Sequence, residues 1–334
     1  MVPHRTRGVG TPGHRRWRHQ DENASCTASD GDGVVPRRGC LWQRQWRQRR
    51  RRERHGQRGS LTLSGQDFTE AAIMAAMYDQ LLTNAGYDVT TKLVGTRDIY
   101  FPELKSGDVD VVPEYLGSFA DFLNTTENGP NAEPVVSNDP QEELDAVKPM
   151  ADSSGITLLE PAEASDQNAF AVTKEFAKQN NLTTLSDLGE LGEPITLAGA
   201  PDCKGQKDCE AGLENVYGID IEKILPLGFG TPQTIDSAAS GESQLAEVGT
   251  TQGDLDESGL VILEDDQGIQ AAENLIPAIN TDFLNDHPDV ADVLNPLADV
   301  LTTEDLADLN GQVSLDREKP EDVASQYLQE KGLL

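Results

Sequence analysis

Beyond residue 60 the side chains able to do chemistry are few enough to name. Arg97 and Arg317 are the only arginines in residues 61–334, His287 is the only histidine, and Cys203 and Cys209 are the only cysteines. A guanidinium presents a planar fork of N–H groups that can grip a carboxylate with two parallel hydrogen bonds. Arg97 is therefore a candidate clamp for a ligand carboxylate, although a surface ion pair with one of the many acidic residues is an equally open reading. Cys203 and Cys209 enclose KGQKD. Structural zinc takes four nitrogen or sulfur ligands, more than two cysteines and one histidine supply. The spacing is not that of a CxxC redox pair, and a disulfide closing a small loop suits an oxidising exterior. Acid–base catalysis without a nucleophile–histidine pair would fall to carboxylates alone. Glu114 and Asp166 are conceivable in that role, but nothing in the sequence sets them apart. No Gly-rich phosphate cradle is present and no motif calls for a cofactor.

The charge is divided sharply. Residues 1–60 hold 15 Arg and no Lys against 5 acidic residues, a balance of +10. The remainder holds 12 basic and 53 acidic residues, a balance of −41 within a chain whose net charge is −31. Such a body repels phosphate backbones and anionic lipid, which argues against nucleic acid as a partner. Its acids are scattered along helices and loops, as on a solvated surface that stays soluble at high salt, where repulsion is screened.

The positioning elements can be read from periodicity. Leu61–Ser64 reads as a strand, and Ile73, Met74, Met77, Leu81 and Leu82 have the spacing of one buried helical face within 68–85, with Gly86 as the stop. Strands follow at 87–94, 109–112, 156–159, 169–173, 195–198, 224–227 and 260–263, mostly separated by helical stretches. The end of the chain is helical at 290–301, 303–310 and 320–330, the last with Pro320 in its first turn. Strands alternating with helices imply an α/β fold with mostly parallel sheets. The 334 residues suit about two domains at roughly 100–200 residues each. The polar, non-periodic stretches 161–168 and 250–258 have the character of crossovers between two lobes. This divides the chain into 1–60, a first lobe 61–163, an inserted second lobe 164–254, and a return to the first lobe at 255–334.

The first sixty residues lack the apolar stretch of a secretory signal and read either as a basic arm or as a frame-shifted stretch. Writing 39–49 (GCLWQRQWRQR) in GC-rich codons and dropping one base gives AACGSGSGGS. Small residues before a cysteine and a Gly/Ser tether resemble a bacterial lipoprotein cleavage site and linker. The expectation is a lipoprotein signal in another frame and a protein anchored by lipid to the outer face of the cell membrane.

Three segments carry a family likeness: GQDFTEAAIMAAMYDQLLTNAGYDV (65–89), ELKSGDVDVVPEYLGS (103–118) and SDQNAFAVTKEFAKQNNLTTLSDL (165–188). The likeness continues through 214–219, 261–267 and 301–313. Together they resemble the substrate-binding proteins of glycine betaine, choline and related osmoprotectant ABC importers, and cover about 61–334. The resemblance implies a two-lobed, type II periplasmic-binding-protein-like fold with one small ligand in the cleft between lobes, delivered to a membrane permease.

Ligands of open α/β sheets sit beyond strand C-termini, near helix N-termini, and four places meet that condition. At Gly65–Thr69, Gln66 matches a polar cleft residue of some relatives, while Thr69 caps the next helix or bonds the ligand. Arg97 follows the second strand, facing the carboxylate that glycine betaine or carnitine would supply, with Tyr100 a lesser candidate. At 114–118 the resemblance implies Tyr115 as one wall of an aromatic cage, its π-face holding a quaternary ammonium that has no N–H to donate. The fourth place is the crossover, with Asp166 and Asn168 opposite Thr251. Here the chain departs from the family pattern: many relatives have an aromatic at the position of Asn168, and an aromatic and an Asp near Gly249 and Gln252. Phe170 and Phe229 are available as substitutes, or belong to the core. An enzyme and a secreted sensory or adhesive module remain as other function classes.

Overall fold

Apolar residues at i, i+3 and i+4 wind Thr69–Ala85 into α1, which buries Ile73, Met74, Met77, Leu81 and Leu82. It ends where Gly86 takes a φ of 108° and its N–H returns to the carbonyl oxygens of Leu82 and Thr83, a left-handed cap that side chains with a Cβ resist. The computed structural model describes residues 58–129, 132, 135 and 137–334. The expected lipoprotein signal therefore lies almost wholly outside the described residues. Ahead of α1 stands β1 (Ser60–Gln66). After it come β2 (Asp88–Val94), α2 (Arg97–Ser106), β3 (Val111–Tyr115), α3 (Leu116–Asn128), α4 (Pro140–Ser153) and β4 (Ile156–Leu158). Next are β5 (Asn168–Thr173), α5 (Lys174–Asn180), α6 (Leu185–Leu191), β6 (Ile195–Gly199), α7 (Glu210–Asn215), β7 (Ile221–Pro226), α8 (Pro232–Ala239), β8 (Leu245–Gly249) and β9 (Leu260–Leu263). The chain ends with β10 (Leu275–Asn280), α9 (Thr281–Asp286), α10 (Asp289–Ala298), α11 (Thr303–Ser314) and α12 (Pro320–Glu330).

Two five-stranded sheets form, in the orders β2-β1-β3-β10-β4 and β7-β6-β8-β5-β9. Each is the centre of one α/β lobe, and each is covered on both faces. In the first lobe Leu63, Val111, Tyr115 and Ile279 join the core beneath α1, α11 and α12. Alternate residues Val112, Ile276 and Ala278 join the core beneath α2, α3 and α4, as the two-residue period of strands requires. The second lobe divides likewise, with Phe170, Leu197 and Leu245 on one face and Ala169, Ala246 and Val248 on the other.

Four strands of each sheet run one way and one runs against them: β5 is antiparallel to β8 and β9, and β10 is antiparallel to β3 and β4. The reason is topological. Both strands are entered from the crossovers, so they start at the cleft, where their neighbours end. One expectation is corrected: the return to the first lobe comes later than 250–258. Strand β9 pairs with β5 in the second sheet, so the chain crosses back only between Leu263 and Leu275. The stretch at 250–253 instead packs on α11. A Cβ added to Gly253 would lie 2.4 Å from the Gly311 nitrogen, a backbone approach that only glycine permits. Among the described residues no helix is long and apolar enough to cross a membrane.

Candidate ligand-binding site

Adjacent residues of β3 point to opposite faces, and this splits the site chemistry in two. Glu114 faces the α2 and α3 side and is fully buried. Arg97, in the first turn of α2, meets it there, with Nε donating to both carboxylate oxygens at 3.2 Å and Nη2 to Oε2 at 2.9 Å. The Tyr100 hydroxyl donates to Glu114 Oε1 at 2.5 Å. Arg97 also donates to the Ser118 carbonyl at 3.3 Å and to the Ser118 hydroxyl oxygen at 3.1 Å, and it lies over the rings of Phe119 and Phe122. Burial disfavours its charge, but Glu114 outweighs that and holds the guanidinium above its usual range. The fork expected to clamp a ligand carboxylate is thus turned onto an internal one, and Glu114 is neutralised by it.

Tyr115 faces the other way. Its hydroxyl donates to Glu70 Oε1 at 2.9 Å, and Asn310 of α11 donates to Glu70 Oε2 at 2.7 Å. Asn310 also donates to the Thr251 carbonyl at 3.0 Å, bridging the lobes. The Thr251 hydroxyl donates to Asp166 Oδ1 at 2.8 Å. Asn310 and Thr251 thus link Glu70 to Asp166, and among the described residues no cationic side chain pairs with either carboxylate. Burial first, and the Asp166 charge second, push Glu70 up to about 7. Burial raises Asp166 as well. Burial, followed by Glu70, raises the Tyr115 hydroxyl far above its usual range.

Two exposed aromatic rings adjoin this cluster. Phe68, at the start of α1, is 42 % exposed, and its ring centroid lies 6.0 Å from that of Tyr115. Phe229, after β7, is 45 % exposed. A Cβ added to Gly249 would come within 3.4 Å of Asp166 Oδ1 and 3.6 Å of the Phe229 ring, so the missing side chain lets ring and carboxylate share that corner. Gln252 holds the Phe229 loop by donating to the Gly230 carbonyl at 2.8 Å. Phe170, the other candidate ring, is 1 % exposed and belongs to the second lobe's core.

Between the lobes lies a cavity of about 810 Å³ lined by Asp121, Asp166, Asn168, the 205–208 loop, Ile269–Ala271 and Glu273. Among the described residues Lys207 is its one cationic lining residue. Glu273 lines this cavity, and its Oε2, shielded from solvent, has no hydrogen-bond partner among the described residues. Burial pushes Glu273 up to about 7, with Ser118 and Arg97 offsetting only part of the effect. The wall at 205–208 is fixed by a disulfide between Cys203 and Cys209. It is fixed further by Gln270 Nε2, which donates to the Asp208 carbonyl at 2.7 Å.

The structure therefore brings Tyr115, Asp166 and Thr251 into one cluster and places Asp166 and Asn168 on the cavity wall. Arg97 is engaged elsewhere. Gln66 is half-buried at the end of β1, and Thr69 is exposed as the first residue of α1. Phe68 occupies the cap position with no side-chain cap bond, so Thr69 does not cap that helix. Glu70, Glu273, Phe68 and Asn310 were not legible as site residues. For Asn310 a signal existed: Asn-Gly inside a helix opposes local propensity, which marks a position chosen for contact.

The sequence that builds this site matches a known family. Residues 59–330 fit the model of the substrate-binding domain of the ABC-type glycine betaine transport system. The chain belongs to this family. It is 27% identical over 292 residues to a glycine-betaine-binding protein of Pseudomonas aeruginosa, covering 82% of this chain and 89% of that one. It is 28% identical over 275 residues to the glycine betaine-binding protein YehZ of Escherichia coli, covering 79% and 88%. The solved structure of apo YehZ superposes with a TM-score of 0.72 at 25% identity, covering 82% of this chain and 99% of that one. The fold is accordingly that of the type II periplasmic binding proteins, and the chain is the extracytoplasmic binding component of an importer rather than an enzyme.

Proposed function

We propose that this protein holds a quaternary ammonium osmoprotectant, such as glycine betaine or choline, between its lobes and delivers it to the permease of an ABC importer, tethered to the outer face of the membrane by lipid. The observation that carries the ligand class is the tilted pair of rings Phe68 and Tyr115 beside the carboxylates Glu70 and Asp166, with Phe229 at the same corner. A quaternary ammonium has no N–H to place in a directed bond. Aromatic faces and nearby carboxylates attract it without one, each ring contributing about 0.5–2 kcal/mol. Asn168 and Thr251 stand within reach of Asp166 to orient the remainder of the ligand, and Gln66 and Thr69 flank Phe68. Calorimetric titration with glycine betaine, choline, carnitine and proline tests the reading. Saturable binding of at least one quaternary compound without turnover is the expected result, while binding of proline alone, or of none, would refute it.

A further inference from the structure

The buried charge of the cleft does not balance. Arg97 stands near two carboxylates, the fully buried Glu114, to which it donates directly, and the half-buried Glu273, whose charge it also favours. It neutralises the first, leaving Glu273 in excess. Asp166 and Glu70 form a second uncompensated pair, and Asp166 also acts on Glu273. Asp121 and Asp208 add to the same cavity wall, where Lys207 is the one cation among the described residues. Lys207 is exposed on the 203–209 loop beside Asp208, and a mobile, hydrated ammonium of that kind is a poor receptor for a carboxylate. Glu273 lines this cavity, and its Oε2 sits just beneath the surface with no donor among the described residues. A shielded carboxylate oxygen without a partner is costly, and a ligand O–H or N–H would satisfy it.

We infer that the cleft selects a net-positive ligand carrying a hydrogen-bond donor, the class of choline, over zwitterionic betaines, whose carboxylate meets an acidic wall and an arginine already engaged. This rests on the proposed quaternary-ammonium reading and narrows it. The hydroxyl of the ligand donates to Glu273, and its cationic head takes the charge left over at Asp166 and Glu70.

The test is calorimetric titration of the full chain at pH 8 with choline, glycine betaine and tetramethylammonium. The parent protein should prefer choline to glycine betaine by about tenfold or more, as one unscreened charge contact implies. Tetramethylammonium, which lacks the donor, should bind more weakly than choline. Glu273→Gln should weaken choline and bring the preference below about threefold. Asp121→Asn, on the cavity wall and independent of the Ser118 bonds, should shift the preference the same way to a smaller degree and covers the case in which Glu273→Gln does not fold. Glycine betaine binding as tightly as choline, or a preference unchanged in both variants, would overturn the inference while leaving the quaternary-ammonium reading in place. Failure of all three compounds to bind would remove both.

Discussion

Glu114 and Tyr115 are neighbours on one strand, yet they sit in opposite electrostatic surroundings. On the Glu114 face, a fully buried carboxylate is matched by a guanidinium and a tyrosine hydroxyl, and the unit is closed on itself. On the Tyr115 face, Glu70 receives neutral donors only, from Tyr115 and Asn310, and Asp166 stands beside it. The first arrangement is complete within the chain. The second holds negative charge near exposed aromatic rings at the meeting of two lobes, where a cation would complete it. The same strand thus supplies a structural ion pair and a ligand wall, and the side-chain period of two keeps them apart.

The largest effect expected from disturbing this contrast is on the closed side. Arg97→Ala strands a buried Glu114 and should lower the unfolding free energy by about 3–5 kcal/mol, read by denaturant titration. Pairing it with Glu114→Gln should recover much of the loss. Wild-type stability with a selective loss of binding would instead make Arg97 a ligand clamp and erase the distinction between the faces.

The open side should reveal itself through pH. Glu70 and Glu273 sit near 7 in the fold against an ordinary 4.5, so the folded chain holds their protons more tightly than the unfolded chain. The stability this gives is complete below about pH 4.5 and is lost as pH rises through about 7. Unfolding free energy should fall between about pH 5 and 8, by up to ~3 kcal/mol per group. Glu70→Gln should flatten that fall, and a saturating cationic ligand should offset it. An unchanged pH slope in Glu70→Gln would place the titration elsewhere.

The disulfide ranks third. A bridge between residues 6 apart closes a short loop, worth about 2 kcal/mol by chain entropy. Because the loop is also the cavity wall carrying Lys207 and Asp208, Cys203→Ser should weaken binding as well as stability. Loss of stability with unaltered affinity would show that the bridge does not set the wall.

The sequence made the helices with clear apolar spacing legible, and α12 and β9 fall on their expected bounds. Strands β8 and β10 were not seen. In LAEVG the buried Glu247 breaks the apolar run, and in LIPAIN Pro277 argues against a strand although every residue is buried. Missing β10 moved the return crossover, because a non-local pairing with β3 and β4 leaves no local signature. Tyr115, Asp166 and Thr251 are legible as candidates because the family likeness and the strand ends point to them. Glu70 looked like an ordinary first-turn acid, favourable at any helix N-terminus. Glu273 lies in an irregular stretch, and only the fold shows that its oxygen lacks a partner. Arg97 was noticed for its rarity, but its partner, seventeen residues on, depends on α2 packing against β3.

The most direct test of the central claim is a crystal structure of the protein with choline bound. The trimethylammonium head should lie within about 6 Å of the Tyr115 or Phe68 ring, on the side where Asp166 lies, with Arg97 still bonded to Glu114. A ligand seated away from both rings, or held by an Arg97 that has left Glu114, would contradict it.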